Sequence, residues 1–357
     1  MAATDDNGLK VSRPAVFIDG QAKPELDGGL LRMQIAENTS GLYRCEAAFS
    51  NLGDKDGASN FLYFDRRTLD FGKAFQIKLD DDVIFDGKIT ALEACFPEGQ
   101  PPEITVLAED RFQDLRMTRR TRSFTDVSDS DVMNQIATDH GLRAEVTVTG
   151  PSYKVLAQIN QSDLAFLRER ARSIDAELWM DGSTLTVKSR TGRSTGRAIE
   201  LNYGAKLREF TVIADAAGQR TSVTVGGWDV GAKSELKFEA TEAVISGELN
   251  GDASGPSILQ SAFGTRKESL VHTAPLTSQE TQAEAEAYFK MSARRFVVGR
   301  GVAETTGKLR VGAHVDLKEL GPLFNGKYYL AEVKHVFDLT KGMRTEFEAE
   351  RPGIGKV

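Results

Sequence analysis

The sequence predicts a mainly β protein of the α+β class. Alternation of apolar and polar residues, the period of a half-buried strand, dominates the first and last thirds of the chain, whereas the middle third has helical spacing. A strand-turn-strand pattern that begins near residue 75 recurs near residue 313. At 357 residues the chain is long enough for two or more domains.

The first third is predicted as strands joined by tight turns. Residues 43–49 and 75–79 alternate between apolar and polar side chains. Asp-Gly pairs such as Asp19-Gly20 and Asp86-Gly87 tolerate the positive φ of hairpin turns. Further strands are predicted at residues 16–18, 83–85, 88–92 and 104–107.

The middle of the chain is predicted as a small α/β module. Ser130 can cap a helix that ends at Gly141, and Ser162 can cap a second helix. The Asp181-Gly182 pair then joins the two strands of a compact hairpin at residues 177–187.

The last third returns to strands around one helix. The helix is predicted at residues 278–296, after a Gly-, Ser- and Asp-rich loop at 246–264. Residues 309–317 alternate without a break, which is the clearest strand pattern in the chain.

The recurring pattern has two interpretations. Each copy is an alternating strand, a short turn and then Phe-(Asp/Asn)-Gly-Lys. The residues concerned are Phe85, Gly87 and Lys88 in the first copy and Phe324, Gly326 and Lys327 in the second. They belong either to two unrelated hairpins that use common turn chemistry or to a β-barrel that is duplicated within the chain.

Charge and composition exclude several classes of function. A net charge of −7 disfavours a general nucleic-acid or anionic-membrane binder, because such proteins need a basic surface. The two cysteines, Cys45 and Cys95, form neither a disulfide framework nor a metal cluster, which suits a reducing cytoplasm. No signal peptide and no apolar run of roughly 18–20 residues is present, so we expect a product made in the cytoplasm without direct membrane insertion.

No catalytic, cofactor-binding or metal-binding residue can be assigned from the sequence. The four histidines, at positions 140, 272, 314 and 335, are far apart and match no metal or catalytic motif. His140 is interpreted as a helix-capping residue, and His314 and His335 as strand residues. We therefore expect no enzymatic site.

Basic and aromatic residues offer candidate contact surfaces. Arg116, Arg119, Arg120 and Arg122 form either a solvated loop or an outward-facing contact with an acidic neighbour. Arg193 and Arg197 flank a Gly/Ser/Thr loop that allows the same two interpretations. Sequence-specific nucleic-acid binding is not expected, because no aromatic residues alternate with the arginines. Trp179 and Trp228 are interpreted as core residues in preference to a ligand platform.

Eight segments follow one another in a fixed order and spacing: residues 85–89, 129–141, 158–168, 178–185, 309–312, 333–335, 344–347 and 351–352. Together they resemble the phage late control D family, the hub proteins of contractile tails, to which the hub-like part of type VI VgrG proteins is related. The resemblance covers nearly the whole chain. It implies a homotrimer in which each subunit contributes two similar β-barrels, so that six barrels form a pseudo-sixfold ring.

The resemblance also implies a domain organisation. The first barrel domain is expected at residues 1–109 and an α/β insertion module at 110–203. The second barrel is expected in two pieces, 204–245 and 297–351, separated by a loop-plus-helix insertion at 246–296, and residues 352–357 form a tail.

The implied role is that of a baseplate hub that adapts a sixfold tail tube to a threefold spike. The expected partners are two further copies of the chain, the tail tube or tube-initiator protein, baseplate wedge proteins and the tape-measure protein. Because no needle repeat follows the hub pattern, we expect the spike to be a separate protein. The protein would be assembled in the cytoplasm and end in the baseplate of a phage tail or injection particle. The alternatives are a tail-associated peptidoglycan hydrolase and a receptor- or glycan-binding tail module.

Overall fold

A computed structural model describes residues 13–55, 57–193, 196–271 and 275–356. Its mainly β composition confirms the predicted fold class. The first region forms strands around one short helix. These elements are β1 Ala15–Ile18, β2 Gln21–Ala22, α1 Pro24–Gly29, β3 Leu30–Asn38, β4 Arg44–Ser50, β5 Leu52–Lys55, β6 Ala58–Phe61, β7 Ala74–Leu79, β8 Asp82–Cys95 and β9 Glu103–Glu109.

The middle region alternates helices and strands around its own apolar core. Its elements are α2 Phe112–Arg116, β10 Arg119–Ser128, α3 Asp129–Asp139, β11 Arg143–Thr147, β12 Ser152–Ser162, α4 Asp163–Ser173, β13 Ala176–Asp181, β14 Thr184–Ser189 and α5 Arg190–Arg193. Ser162 caps α4 as predicted, because its side chain accepts a hydrogen bond from the Ala165 N–H. The cap of α3 is Ser128 and not Ser130, since Ser128 and Asp131 form a reciprocal capping box.

The last region contains the remaining strands and the longest helix. Its elements are β15 Ile199–Asn202, β16 Leu207–Ala214, β17 Ser222–Asp229, β18 Ser234–Thr241, a 3-10 helix Glu242–Glu248, β19 Ala253–Ser254, α6 Gly255–Phe263, β20 Lys267–Leu270, α7 Ser278–Arg294, β21 Val297–Ala303, β22 His314–Lys318, α8 Gly321–Phe324, β23 Gly326–Asp338, β24 Gly342–Arg351 and β25 Gly353–Ile354. Helix α6 lies inside the segment predicted as a loop, where Ser254 caps it.

One 13-stranded sheet joins the first and last regions. Its first half has the order β3-β4-β9-β8-β7-β1, and its second half has the order β16-β21-β24-β23-β22-β15. The halves meet where β23 pairs with β3 in antiparallel register. Each half encloses its own apolar cluster. Across the described residues the ladder does not close on itself, so the strands that we predicted as two barrels form two halves of one open sheet.

Two short segments depart from the predicted strands. Asp86-Gly87 lies inside β8 and makes no turn. A Cβ at Gly87 would lie 2.3 Å from the Glu109 carbonyl oxygen, so this glycine is needed for the close approach of β8 to β9. Residues 309–313 precede β22 and are not part of it, because Gly312 has a φ of +93°.

The sheet pairings also divide the chain at different points from the predicted domain boundaries. β15 pairs with β22 and so belongs with the second half of the large sheet. β17 pairs with β18 on one side and with β20 on the other, in a separate three-stranded sheet that is covered by α7. Residues 222–241 therefore pack with the insertion.

Candidate assembly surface

The two halves of the large sheet repeat one strand order. The strands of the two halves correspond one to one: β3 to β16, β4 to β21, β9 to β24, β8 to β23, β7 to β22 and β1 to β15. The single difference in direction is at the outer end, where β1 is antiparallel to β7 but β15 is parallel to β22. Two unrelated hairpins would not produce a shared order of six strands.

Irregularities in the ladders fall on equivalent rungs. In β3 the register shifts between Leu30 and Arg32, and in β16 it shifts between Leu207 and Glu209. A second shift occurs in β8 between Ile89 and Ala91 and in β23 between Leu330 and Glu332. Both comparisons make Cys45 of β4 equivalent to Gly299 of β21. Because bulges are specific local features, their agreement fixes the residue-by-residue equivalence of the halves.

Each half contains a turn at an equivalent glycine, and the two glycines make equivalent backbone hydrogen bonds. The Gly72 N–H donates to the Ile89 carbonyl at 2.8 Å, and the Gly312 N–H donates to the Leu330 carbonyl at 3.0 Å. Both glycines have a positive φ, +79° and +93°. Three residues before each glycine is a fully buried leucine, Leu69 or Leu309. The sequence signal for the repeat is therefore Leu-x-(Phe/Val)-Gly, at residues 69–72 and 309–312, which lies outside the Phe-(Asp/Asn)-Gly-Lys pattern.

The recurring sequence pattern is displaced by two residues from this structural equivalence. The pattern aligns Gly87 with Gly326, whereas the ladders make Gly326 equivalent to Phe85. Phe85 is buried in β8, Phe324 is half-buried in α8, and Lys88 and Lys327 lie in β8 and β23. A shift of two preserves the face of each side chain, which explains why the pattern looks periodic in both places.

An ion pair between a half-buried arginine and a buried carboxylate joins the two halves. Arg310 binds the Glu37 carboxylate through its Nε and donates from Nη1 to the Val83 carbonyl at 3.0 Å. The Val311 N–H also donates to Glu37 Oε2 at 3.1 Å. Glu37 is buried in β3, so a carboxylate of the first half is neutralised by the second half.

A second buried network joins the α/β module to both halves. Arg193 donates to Glu177 at 3.0 Å and to the Tyr43 hydroxyl at 2.6 Å. The Tyr329 hydroxyl binds the same Glu177, and Arg190 donates to Glu350 at 2.6 Å. Arg193, expected in a surface loop, is instead buried and lies 4.4 Å from the Trp179 ring centroid. Arg197 is exposed.

The four clustered arginines lie on or beside β10, and they differ in exposure and in the groups that they contact. Arg120 and Arg122 contact the buried carboxylate of Asp163 at 3.0 and 2.8 Å, and His140 contacts it at 2.8 Å. Burial alone would raise the pKa of Asp163, but the hydrogen bonds from His140 and Gln158 and the nearby arginines hold it below its usual value. These contacts make Arg120 and Arg122 structural.

The other two arginines are more exposed. Arg116 pairs with Glu109, and Arg119 donates to the Asn160 carbonyl at 3.1 Å. Both remain candidates for contact with a neighbour in an assembly.

The described residues give little support for chemistry at a metal or nucleophile. Among them, no group of three or more His, Cys, Asp or Glu side chains has the arrangement of a metal site. Burial raises the pKa of the Cys45 thiol well above its usual value, which makes that thiol unreactive. His314 lies in β22 against Tyr329, His335 lies in β23, and His272 is outside the described residues. No helix of the described part is both long and apolar enough to cross a bilayer.

The aromatic prediction holds only in part. Trp179 is half-buried against the core of the first half. Trp228, in contrast, is 53% exposed at the end of β17, so it is not a core residue.

The free strand edges of the described structure include two in the large sheet, at β16 and at the end of β8. β16 ends the large sheet and its ladder pairs with β21 alone, apart from an isolated bridge between Leu207 and Tyr203. The last part of β8, from Ala91 to Cys95, pairs with β9 on one side, whereas β7 covers only the earlier part of the strand. Exposed edges present free N–H and C=O groups and are sites where another chain can add.

The fold of this chain is similar to the folds of solved tail proteins. The 43 kDa tail protein of prophage MuSo2 from Shewanella oneidensis has a TM-score of 0.71 at 11% identity, over 96% of this chain and 98% of that protein. A tail protein from Neisseria meningitidis has a TM-score of 0.67 at 14% identity, over 96% and 97%. The E. coli c3393 protein, a component of the type VI secretion system similar to T4 tail proteins gp27 and gp5, has a TM-score of 0.54 at 13% identity, over 92% and 76%.

At these identities the likeness establishes a common fold. The sequence model of the Alg8 N-terminal domain family matches residues 41–338, which is most of the chain. The chain belongs to the Alg8 N-terminal domain family. No curated protein matches the sequence significantly.

Proposed function

We propose that this chain is the baseplate hub of a contractile tail or injection system, of the late control D type. Three copies form a ring of six similar half-sheets, which presents sixfold character to the tail tube and threefold character to the spike. The role is structural and involves no enzymatic step. The parent particle is a phage tail or a related injection machine, which the chain enters after assembly in the producing cell.

The observation that carries this proposal is the duplication of the strand order within one chain. A threefold assembly of a chain with two equivalent units has six equivalent positions, so it can match partners of either symmetry. The fold shared with phage tail proteins and with a type VI component supports the same role.

The proposed partners follow from this position in the particle. The two halves of the large sheet would contact the tail tube or its initiator on one side and a separate spike protein on the other. The α/β module and the insertion, with Arg116 and Arg119 exposed on the module, would contact baseplate wedge proteins. The tape-measure protein would pass through the ring. Oppositely charged neighbours at the arginines would speed and orient docking more than they would strengthen it.

The proposal is tested by native mass measurement of the purified chain with and without the spike protein of the same particle. We expect a mass of three chains, either alone or in the complex with the spike, because ring closure is linked to partner binding. A chain that stays monomeric in the presence of the spike protein and does not bind it would contradict the proposal.

A further inference from the structure

The junction between the two halves is a template for contacts between copies of the chain. At this junction β3 of the first half pairs with the last part of β23 of the second, from Glu332↔Asn38 to Asp338↔Arg32. The strand equivalent to β3 is β16, and the segment equivalent to 332–338 of β23 is 91–97, at the end of β8. These are the two unpaired edges described above. The chain therefore forms this strand pairing once within itself. It also has an unpaired equivalent of each of the two strands that form the pairing.

The buried side chains at the junction point to the same conclusion. Phe337 of β23 is 4% exposed because it packs into the apolar core of the first half, opposite Met33. Its equivalent in the first half is Phe96, which is 63% exposed. The residue equivalent to Met33 is Phe210, half-buried on the free edge strand β16. A contact like the internal one would cover both rings.

We propose that β16 of one copy pairs in antiparallel register with residues 91–97 of the next copy. Transfer of the internal register places Phe210 opposite Phe96, Thr211 opposite Cys95 and Val212 opposite Ala94. The register puts no like-charged residues directly opposite each other, since Glu209 faces Pro97 and Glu93 faces Ile213. The contact is head-to-tail, which generates a closed ring when the rotation between units divides a full turn. This inference rests on the proposed trimer and adds the surface that closes it.

The register is tested with a cysteine at position 211. Thr211→Cys would lie opposite the native Cys95 of the neighbouring copy, with Cβ atoms roughly 4.5–5.5 Å apart as in other directly opposed strand residues. Assembled complexes of the full chain with the spike are treated with a mild oxidant or a short bifunctional thiol reagent and run on a denaturing gel. We expect covalent dimers and trimers, at least tenfold more abundant than in the unsubstituted protein.

Two control variants make the result specific. Thr211→Cys combined with Cys95→Ser removes the partner thiol and should abolish the covalent species. Thr241→Cys, an exposed threonine at the end of β18 in the insertion, should give only background linkage to Cys95. One contrary result is a sample that is trimeric by mass but forms no more covalent species with the cysteine at position 211 than with the cysteine at position 241. That result would overturn the proposed register but would not contradict the hub role. A sample that never forms trimers with the spike would contradict both.

A second variant tests the contact without relying on a bond. Phe96→Asp places a charge where the neighbouring copy would cover the ring, so we expect at least a tenfold loss of trimer at equal concentration. Phe263→Asp is the matched control, because Phe263 is also an exposed phenylalanine but lies at the end of helix α6, outside the large sheet. Phe96→Asp trimers as stable as Phe263→Asp trimers would overturn the proposed contact.

Discussion

Single buried charged residues hold the parts of this molecule in fixed relation. Arg193 and Glu177 come from the α/β module, but their remaining partners, Tyr43 and Tyr329, come from the two halves of the large sheet. Removal of one partner from such a group leaves an uncompensated charge in a place that water cannot reach. These contacts could not be read from the sequence, because an arginine in a Gly- and Ser-rich stretch is usually solvated.

We predict that Arg193→Ala lowers the free energy of unfolding by about 3–5 kcal/mol, because the buried Glu177 loses its hydrogen-bonded cation and keeps only the more distant Arg190, at 3.9 Å. Arg32→Ala is the control: Arg32 pairs with Glu103 at 2.6 Å at the surface, where an ion pair contributes only about 0–1 kcal/mol. Chemical denaturation of the two variants measures the difference. Equal losses would show that the Arg193 network contributes no more than a surface pair.

Stability should also fall in mild acid because of two histidines. Burial lowers the pKa of His335 to about 3 and that of His314 to about 4. A histidine with a depressed pKa binds its proton more readily in the unfolded chain. The stability that such a histidine contributes is therefore fully present above the pKa of the unfolded chain, near 6.5. This stability is lost as the pH falls toward the pKa of the folded protein.

We predict that His335→Gln makes the loss of stability between pH 7 and pH 4 shallower. Each buried histidine contributes at most about 1.4 kcal/mol per pH unit over this range. A glutamine can keep the contact with Thr345, which lies 3.0 Å from His335 Nδ1. Unfolding midpoints measured at half-unit pH steps check the slope. Parallel curves for the two proteins would contradict the assignment.

At the level of elements, alternation in the sequence predicts burial better than it predicts strand pairing. The apolar residues at 309, 311, 313, 315 and 317 are all buried as the pattern predicts, yet the strand begins only at His314. Gly312 interrupts the ladder with its positive φ while the side chains on either side still point inward. Helix α4 and the β13–β14 hairpin were predictable because their cap and turn residues are local signals.

Other elements had no local signal of comparable strength. The β10–β12 pair carries mixed polar sequences and is fixed by contacts between distant residues, such as Arg122 with Asp163. These two strands were not predicted from the sequence. Helix α6 was not predicted because its start, rich in glycine and serine, is typical of a loop, although Ser254 caps the helix and Pro256 lies in its first turn.

The two equivalent glycine turns should respond differently to substitution. Gly72→Ala should lower the free energy of unfolding by about 1–2 kcal/mol, because the φ of Gly72 is positive but no atom lies within 4 Å of the added Cβ. Gly312→Ala should cost a further ~1–3 kcal/mol of overpacking, since its Cβ would lie 2.5 Å from Arg193 Nε. Thermal and chemical unfolding of both variants compares them directly. A Gly72→Ala variant that is as unstable as Gly312→Ala would contradict this account.

At the level of the whole molecule, the repeat is better defined by strand order and bulges than by sequence. The recurring Phe-x-Gly-Lys pattern pointed to the two correct regions, but it aligned them two residues out of register. The β23–β3 pairing, which converts the two predicted barrels into one sheet, joins residues about 300 positions apart and leaves no periodic trace in the sequence.

We propose that three chains form a ring in which six half-sheets occupy equivalent positions. A three-dimensional electron cryomicroscopy reconstruction of the chain bound to its spike would show whether such a ring forms. We predict a closed threefold ring with six similar lobes, in which one-sixth of a turn superimposes β3, β4, β8 and β9 on β16, β21, β23 and β24. A complex with any other number of chains, or one in which the two halves are not related by rotation about the ring axis, would contradict the claim.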